Sequence, residues 1–247
     1  YLTAQEKGYR AEITFGVVTD TQDAFGKVIQ QSPSSVSRKE FETVLQRFQG
    51  EILQLPPMFS AVRKQGKHLY EYARQGLTVE RQPRKVTIAD IRLVHWEDGR
   101  FPKAIFDIRC SKGTYVRTLC HDIGETLGCG AHMSFLIRTS SGPFTIGHSW
   151  TLEEIEENLA AGRKDFILPL AGTLDLPKVY LMPGRVRAFR SGLPSRPTGF
   201  QKVEGPIGEG REVQVLFGEQ LLGIGIIRNQ MLYPRKVLNI SEGDHEV

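Results

Sequence analysis

The segment RCSKGTYVRTL, residues 109–119, joins a strand to a helix near the middle of the chain. It follows AIFDI, residues 104–108, whose apolar side chains suit a β-strand. It leads into apolar residues spaced four apart, as on one face of a helix: Leu119, Ile123 and Leu127. Gly128 ends that pattern, so the sequence predicts a strand, a short turn and then a helix.

Lys112, Tyr115 and Arg117 lie within this predicted strand-to-helix transition. Such a transition is a common place for binding groups that stand on a rigid base. From the residues alone two interpretations stay open. The segment is either an anion-binding turn or a solvated charged loop.

The patterns on either side of this segment predict a mixture of strands and helices. Alternating apolar residues from Tyr9 to Phe15 predict a half-buried strand, and residues 86–96 with 104–110 predict a hairpin. Two capping boxes, at Ser37 and at Thr151, each begin a helix. Because strands and helices do not alternate strictly, we expect an α+β fold with a mixed, largely antiparallel sheet.

The chain changes character after Leu170. From Lys178 onward, short apolar runs are separated by Gly and Pro, with predicted strands at residues 179–181, 212–217 and 221–227 and Pro234 beyond them. Such spacing is typical of a small β-barrel. We therefore predict one domain over residues 1–172 and a second over residues 173–247.

Composition points to a globular protein with an uneven charge distribution. The 247 residues are 40% hydrophobic and 24% charged, and no apolar run has the length of a membrane span. The net charge is +4, yet residues 62–92 alone hold eight basic residues against three acidic ones. This basic segment, with Tyr70 and Tyr72 within it, fits a surface that follows a phosphate backbone, or else a solvated helix face.

Metal sites are not favoured by the sequence. The three cysteines, Cys110, Cys120 and Cys129, form no Cys-x-x-Cys pair, so buried thiols in a reducing compartment are favoured over a zinc site. The acidic residues between Thr19 and Asp23 resemble a metal loop. Without further spaced acids, however, they are better explained as a turn with Asx-type hydrogen bonds.

Several long motifs, in the same order, resemble the bacterial tRNA pseudouridine synthase B family. They are GYR at 8–10, GVVTDTQDAFG at 16–26, PMFSA at 57–61, GKHLYEYARQG at 66–76, CSKGTYVRTL at 110–119, GCGAH at 128–132 and LIRT at 136–139. The likeness covers nearly the whole chain. The end of the chain, with LGIG at 222–225 and LYPRKVL at 232–238, resembles a PUA domain, an RNA-binding module.

The resemblance implies a pseudouridine synthase fold and an isomerase that converts the T-loop uridine at position 55 of tRNA to pseudouridine. The target base is flipped into a pocket, and no cofactor or metal is needed. The implied partner is tRNA, bound through its T-arm stem-loop and, by the PUA-like domain, towards its acceptor end. The implied protein is a cytoplasmic monomer that does not bind a membrane.

The resemblance also assigns roles to four side chains. Tyr9 stacks on the flipped uracil and is a candidate for removing a proton from it, although its register with Ile13 also suits a core tyrosine. Tyr115 contacts the substrate, and Leu136 forms an apolar wall against the base. Arg117 pairs with the catalytic aspartate. From its charge alone, and not from the resemblance, Lys112 either holds a phosphate or is an ordinary surface lysine.

The nucleophilic aspartate of the family lies in a Gly-x-x-Asp-Pro-x-Ala-Thr-Gly motif, and no aspartate of this chain has that context. We therefore expect that motif to lie upstream, the chain alone to be inactive, and Arg117 to lack its partner here. Two other functions stay open: a noncatalytic tRNA-binding protein or RNA chaperone, and a ribosome-associated basic protein. A Gly-x-x-Asp-Pro segment encoded immediately upstream would decide for the enzyme.

Overall fold

The computed structural model describes residues 1–238, except for the side chain of Ala4. These residues form two compact units, one from Tyr1 to Ser149 and one that begins at Trp150, and each has its own hydrophobic core. The domain boundary predicted at residues 172 and 173 stays a prediction. Residues 239–247 of the predicted PUA-like domain lie outside the described residues.

The first unit consists mainly of strands. They are β1 (Lys7–Phe15), β2 (Val17–Thr19), β3 (Val28–Gln31), β4 (Gly50–Gln54), β5 (Arg63–Lys64), β6 (Lys67–His68), β7 (Arg84–Glu97), β8 (Lys103–Cys110), β9 (Ala131–Ser141) and β10 (Phe144–Thr145). The helices are α1 (Arg38–Arg47), α2 (Leu69–Arg74) and α3 (Val116–Thr126), with 3-10 turns at Leu2–Ala4 and Ile146–His148.

Six strands form the main sheet in the order β10-β9-β1-β8-β7-β4, and every neighbouring pair is antiparallel. This confirms the predicted α+β class and the hairpin of β7 and β8. β1 lies between β8 and β9, and its residues Ala11, Ile13 and Phe15 are fully buried. The two-residue period seen in the sequence is the alternation of β1 between the core face and the opposite face.

Local chemistry sets the ends of the helices. Ser37 accepts a hydrogen bond from the amide of Glu40, and the Glu40 side chain accepts one from the amide of Ser37, so the predicted capping box begins α1. Helix α3 ends at Thr126, and Gly128 then adopts a φ of +71°. Gly124 lets α3 approach β9 closely, because a Cβ there would lie 2.3 Å from the backbone nitrogen of Ala131.

The basic segment of residues 62–92 is not one helix. It contains the small hairpin of β5 and β6, the short helix α2 and the first residues of β7. His68 stacks on Tyr70, and the Arg74 guanidinium lies 5.2 Å from the centre of the Tyr70 ring. The interpretation of this segment as a solvated face of a single helix was therefore wrong.

The second unit has a helix that begins at the predicted Thr151 cap and one that sequence reasoning missed. These are α4 (Leu152–Ala160) and α5 (Pro183–Arg190). Its strands are β11 (Lys178–Leu181), β12 (Phe200–Glu204), β13 (Glu212–Phe217), β14 (Gln220–Arg228) and β15 (Met231–Val237), with 3-10 turns at Leu170–Gly172 and Pro197–Gly199. The strands predicted at residues 179–181, 212–217 and 221–227 are confirmed.

The strands of the second unit form one sheet in the order β12-β11-β13-β14-β15. A bridge between Ser195 and Leu232 joins β15 to the segment that leads into β12. Pro234 lies inside β15 and not beyond the last strand, which corrects the prediction. A proline is tolerated there because β15 is the last strand in the sheet order and the pairing with β14 shifts register at this point.

None of the described helices is long and apolar enough to cross a membrane.

Candidate functional site

Arg117 and Asp23 form an ion pair at the start of α3. The Nη1 atom of Arg117 donates to Oδ2 of Asp23 at 2.8 Å, and the two side chains are 20% and 13% exposed. Arg117 also donates through Nη2 to the carbonyl oxygen of Phe59. Arg117 is therefore paired within this chain, by a turn distant in sequence, whereas the position of the catalytic aspartate outside the chain stays an expectation.

The residues between Thr19 and Lys27 form a hydrogen-bonded turn, as predicted. Oδ1 of Asp23 accepts from the Thr21 hydroxyl at 2.6 Å and from the Phe25 amide at 3.2 Å. The Thr19 hydroxyl donates to the carbonyl oxygen of Asp23 at 2.7 Å. Among residues 1–238, no group of three His, Cys, Asp or Glu side chains could hold a metal ion.

Asp23 is held in its ionised form. Partial burial alone would raise the pKa of its carboxyl, but four opposing interactions outweigh that effect. They are the hydrogen bonds from Thr21, Arg117 and the Phe25 amide, and the positive charge of Arg117. The pKa of Asp23 is consequently lowered, and its two oxygens are already occupied as acceptors.

The same turn is fastened to β9 and to α3. Asp23 forms a bridge with Met133 of β9, and the Met133 amide donates to the carbonyl oxygen of Gln22 at 3.0 Å. The hydroxyl of Thr118, on α3, donates to Oε1 of Gln22 at 2.7 Å. Gln22 reaches both partners with a φ of +66°, a conformation that non-glycine residues seldom adopt. The Arg117–Asp23 pair is thus held between a helix and a strand.

Tyr9 and Leu136 lie on one face of the main sheet. Tyr9 is directly opposite Arg138 in the β1–β9 pairing, and Ala11 is directly opposite Leu136. Side chains two apart on a strand share a face, so Tyr9, Leu136 and Arg138 point to the same side as the core residue Ala11. Tyr9 is half-buried against the core, whereas Leu136 is 38% exposed.

The backbone at Tyr115 is held by a buried side chain, Gln54. The Tyr115 amide donates to Oε1 of Gln54 at 2.7 Å, and Nε2 of Gln54 donates to the Tyr115 carbonyl oxygen at 3.1 Å. Tyr115 is the N-cap residue of α3 and has no side-chain cap of its own. Gln54, only 1% exposed, therefore supplies the acceptor that the first turn of a helix requires.

Lys112 lies exposed in the turn before Tyr115, next to Gly113, whose φ is +84°. Within the described part of the chain it has no ion pair. The structure therefore places it near the start of α3 but does not bring it into the network of Arg117 and Asp23.

The cysteines lie in or beside the core and form no disulfide among themselves. Cys110 and Cys120 are buried, as predicted, and burial raises the pKa of both thiols. Cys129 is only partly buried and lies with its sulfur 3.9 Å from the carbonyl oxygen of Gly124. A raised pKa disfavours the thiolate, so the two buried thiols are poor nucleophiles.

Sequence reasoning missed three residues of this site. Asp23 was assigned only to a turn, although the acidic residue in a TDTQD segment was visible. Gln54 ends a short strand in which nothing local marks a contact with Tyr115, 61 residues away. Arg138 was quoted only as part of a motif, since its place opposite Tyr9 depends on the register of β9.

The architecture of the first unit, with this arrangement of side chains, is that of the pseudouridine synthases. A chain in the crystal structure of a Cbf5-Nop10-Gar1 complex superposes with a TM-score of 0.68 at 25% identity, covering 95% of this chain and 67% of that one. A structure of an H/ACA RNP bound to a substrate RNA containing 2'-deoxyuridine gives a TM-score of 0.69 at 23% identity, with coverages of 96% and 67%.

Two family models match consecutive parts of the chain. Residues 1–116 match the N-terminal domain of the TruB family pseudouridylate synthases, and residues 117–174 match the C-terminal domain of tRNA pseudouridylate synthase B. The chain belongs to the TruB family of pseudouridylate synthases. The family resemblance seen in the sequence is confirmed.

Curated relatives carry the name tRNA pseudouridine synthase B. The protein of Symbiobacterium thermophilum is 50% identical over 189 residues, which are 76% of this chain and 62% of the relative. Those of Heliobacterium modesticaldum and Moorella thermoacetica are each 41% identical, over 96% of this chain. The chain spans 77% and 81% of the length of these two, and only 62% of the first.

Proposed function

We propose that this chain is the larger part of a tRNA pseudouridine synthase that isomerises the T-loop uridine at position 55. One observation carries the proposal: strand β9 joins the two halves of the site. It pairs with Tyr9 through Arg138 and carries Leu136, while Met133 bridges Asp23, the partner of Arg117. Tyr9, Leu136 and, through Asp23, Arg117 are thereby attached to one strand, although they lie on distant segments of the chain.

The chemistry of the site suits a flipped pyrimidine. A half-buried tyrosine beside an exposed leucine gives a flat apolar surface, and stacking of a base on an aromatic ring contributes about 1–3 kcal/mol. In the isomerisation the bond from C1′ to N1 of uracil breaks and a bond from C1′ to C5 forms. The proton on C5 is removed, for which Tyr9 is the candidate base, and N1 takes up a proton. No cofactor is required for this balance.

Asp23 is a poor candidate for the nucleophile. Its Oδ1 accepts hydrogen bonds from Thr21 and Phe25, and its Oδ2 pairs with Arg117. A carboxylate engaged in this way is stabilised as an anion and would have to give up these bonds to attack a sugar carbon. We therefore assign the attack to an aspartate outside this chain, with Arg117 placed by Asp23 to pair with it.

The test compares this chain alone with a fusion that adds, upstream, a segment carrying the family's Gly-x-x-Asp-Pro-x-Ala-Thr-Gly motif. Tritium release from T-arm stem-loop RNA labelled at C5 of uridine is expected only from the fusion. A fusion in which that motif aspartate is replaced by asparagine should be inactive. Turnover by the chain alone would place the nucleophile within these residues. If the fusion that carries the motif aspartate releases no tritium from the stem-loop, the proposed substrate is wrong.

Binding separates the enzyme from the other candidates. The chain alone should bind a T-arm stem-loop more tightly than an anticodon stem-loop of equal length, as measured by fluorescence anisotropy. Equal affinity for both RNAs would favour a general basic RNA-binding protein. Preference for the T-arm together with an inactive fusion would favour a noncatalytic tRNA-binding protein.

A further inference from the structure

Arg138 contacts Tyr9 across the β1–β9 pairing. The two residues are direct cross-strand partners, and the Arg138 guanidinium lies 5.5 Å from the centre of the Tyr9 ring. A planar cation over an aromatic face is an attractive contact, and it restricts the ring orientation. One face of Tyr9 is thus covered by protein.

The guanidinium of Arg138 donates no hydrogen bond within the described part of the chain. Arg138 is exposed, and no carboxylate of residues 1–238 pairs with it. The other arginine of the site differs in this respect, since Arg117 donates both to Asp23 and to Phe59. A guanidinium with free donors, held in place by its contact with a ring, is prepared to bind a singly charged oxyanion such as a phosphodiester.

We propose that Arg138 is a further substrate-binding residue, which covers one face of Tyr9 and binds a phosphate adjoining the nucleotide whose base lies on Tyr9. The inference rests on the proposed function, because the phosphate belongs to the RNA that the site takes. A base that stacks on the free face of Tyr9 brings its own phosphodiester within reach of a side chain as long as arginine. The same side chain would therefore orient the Tyr9 ring and bind the phosphate backbone of the RNA.

The chain offers a matched control. Arg100 lies with its guanidinium 5.5 Å from the centre of the Phe101 ring, the same separation as in the Arg138–Tyr9 contact, in the turn between β7 and β8. Arg100→Gln removes the same charge and the same kind of ring contact at a place that carries no residue of the site. Its affinity for RNA should stay within about twofold of the unchanged chain, a difference worth about 0.4 kcal/mol.

The experiment measures anisotropy of three T-arm stem-loops: an unmodified one, one with a neutral methylphosphonate on the 5′ side of the position-55 uridine, and one with it on the 3′ side. Arg138→Gln should weaken binding of the unmodified RNA roughly tenfold. It should weaken binding less than about twofold for the RNA whose contacted phosphate is already neutral. The slope of log affinity against log salt should fall by about 0.7–0.9, as for one lost phosphate contact.

Arg138→Lys retains the charge and should retain most of the salt slope, which keeps the test valid if Arg138→Gln folds poorly. Equal weakening of all three RNAs with an unchanged slope would overturn the proposal and leave Arg138 as a support for Tyr9 only. Unchanged binding by both variants would also overturn it. If the unchanged chain itself does not bind the stem-loop, the proposed function fails first; binding by the unchanged chain isolates the role of Arg138.

Discussion

Arg117 and Asp23 lie 94 residues apart in the sequence and form an ion pair with an Nη1–Oδ2 distance of 2.8 Å. The pair joins the first turn of α3 to the turn between β2 and β3. The pair keeps Asp23 ionised and holds the Arg117 side chain within the candidate site.

Asp23→Asn should lower the free energy of unfolding of the first unit by about 2 kcal/mol. The value lies between about 0–1 kcal/mol for exposed pairs and about 3–5 kcal/mol for breaking buried ones, because both side chains are mostly but not fully buried. Urea unfolding can be followed through Trp96, whose ring packs 5.8 Å from Phe15 and Phe41, in a Trp150→Phe background.

Glu42→Gln is the control for that measurement. It breaks the exposed pair of Arg38 and Glu42 on α1, whose side chains are 66% and 45% exposed. Its effect should stay below about 0.5 kcal/mol. Equal effects of the two substitutions would mean that the Arg117–Asp23 pair contributes no more than a surface pair.

The contribution of Asp23 should disappear in acid. Its folded-state pKa is lowered, so the stability that it contributes is fully present above its ordinary pKa, about 3.9, and is lost as the pH falls through the lower folded value. The difference in unfolding free energy between the unchanged chain and Asp23→Asn should therefore be largest at pH 7 and shrink below about pH 4. A difference that is constant from pH 7 to pH 3 would contradict the assignment.

Gln54→Met should destabilise the start of α3. The Tyr115 amide loses its acceptor in a buried place, which costs about 1–3 kcal/mol, whereas the Tyr115 carbonyl oxygen still accepts from Leu119. Gln46→Met, at an exposed position of α1, changes the same side chain without breaking a described bond and should be nearly neutral. Equal unfolding curves for the two variants would show that the Gln54 contact is dispensable.

Tyr9→Leu and Tyr9→Phe should separate stacking from the hydroxyl. Loss of the ring should weaken T-arm binding by about 1–3 kcal/mol, roughly 5- to 150-fold, while Tyr9→Phe should bind normally. In a fusion that supplies the nucleophile, Tyr9→Phe should lose rate if the hydroxyl assists proton removal. Wild-type binding and rate for both variants would return Tyr9 to a purely structural role in the core.

Exposed arginines of the second unit should contribute to binding of whole tRNA. Arg187, on α5, and Arg196 are both exposed. The Arg185 guanidinium, in contrast, donates hydrogen bonds to the Pro194 carbonyl oxygen and the Ser195 hydroxyl. The double substitution Arg187→Gln with Arg196→Gln should lower the salt slope for whole tRNA by about 1–2 and leave binding of an isolated T-arm stem-loop unchanged. Equal changes for both RNAs would mean that the second unit does not extend the contact along the tRNA.

Local features of the chain could be predicted because they depend on interactions between residues that are close in sequence. The capping box at Ser37 and Glu40 satisfies the first amides of α1 within a few residues, and the alternation along β1 needs only a sheet with one buried face. Helix α5 was missed because Gly184 and three arginines within it hide any apolar face. For the basic residues 62–92, only the alternative of a single helix face was wrong, because the short elements there carry too few residues to show a period.

The sequence by itself determined the family, the α+β class, the helix caps and the identity of Tyr9, Tyr115, Arg117, Leu136 and Lys112 as candidates. Only the tertiary structure decided which of them act together. Arg117 meets Asp23, Gln54 meets Tyr115 and Arg138 meets Tyr9 across separations of 61 to 129 residues, as the pairings of β9 and α3 dictate. Such contacts follow from strand register and helix docking, which are set by burial of the whole core, and no local pattern of residues encodes them.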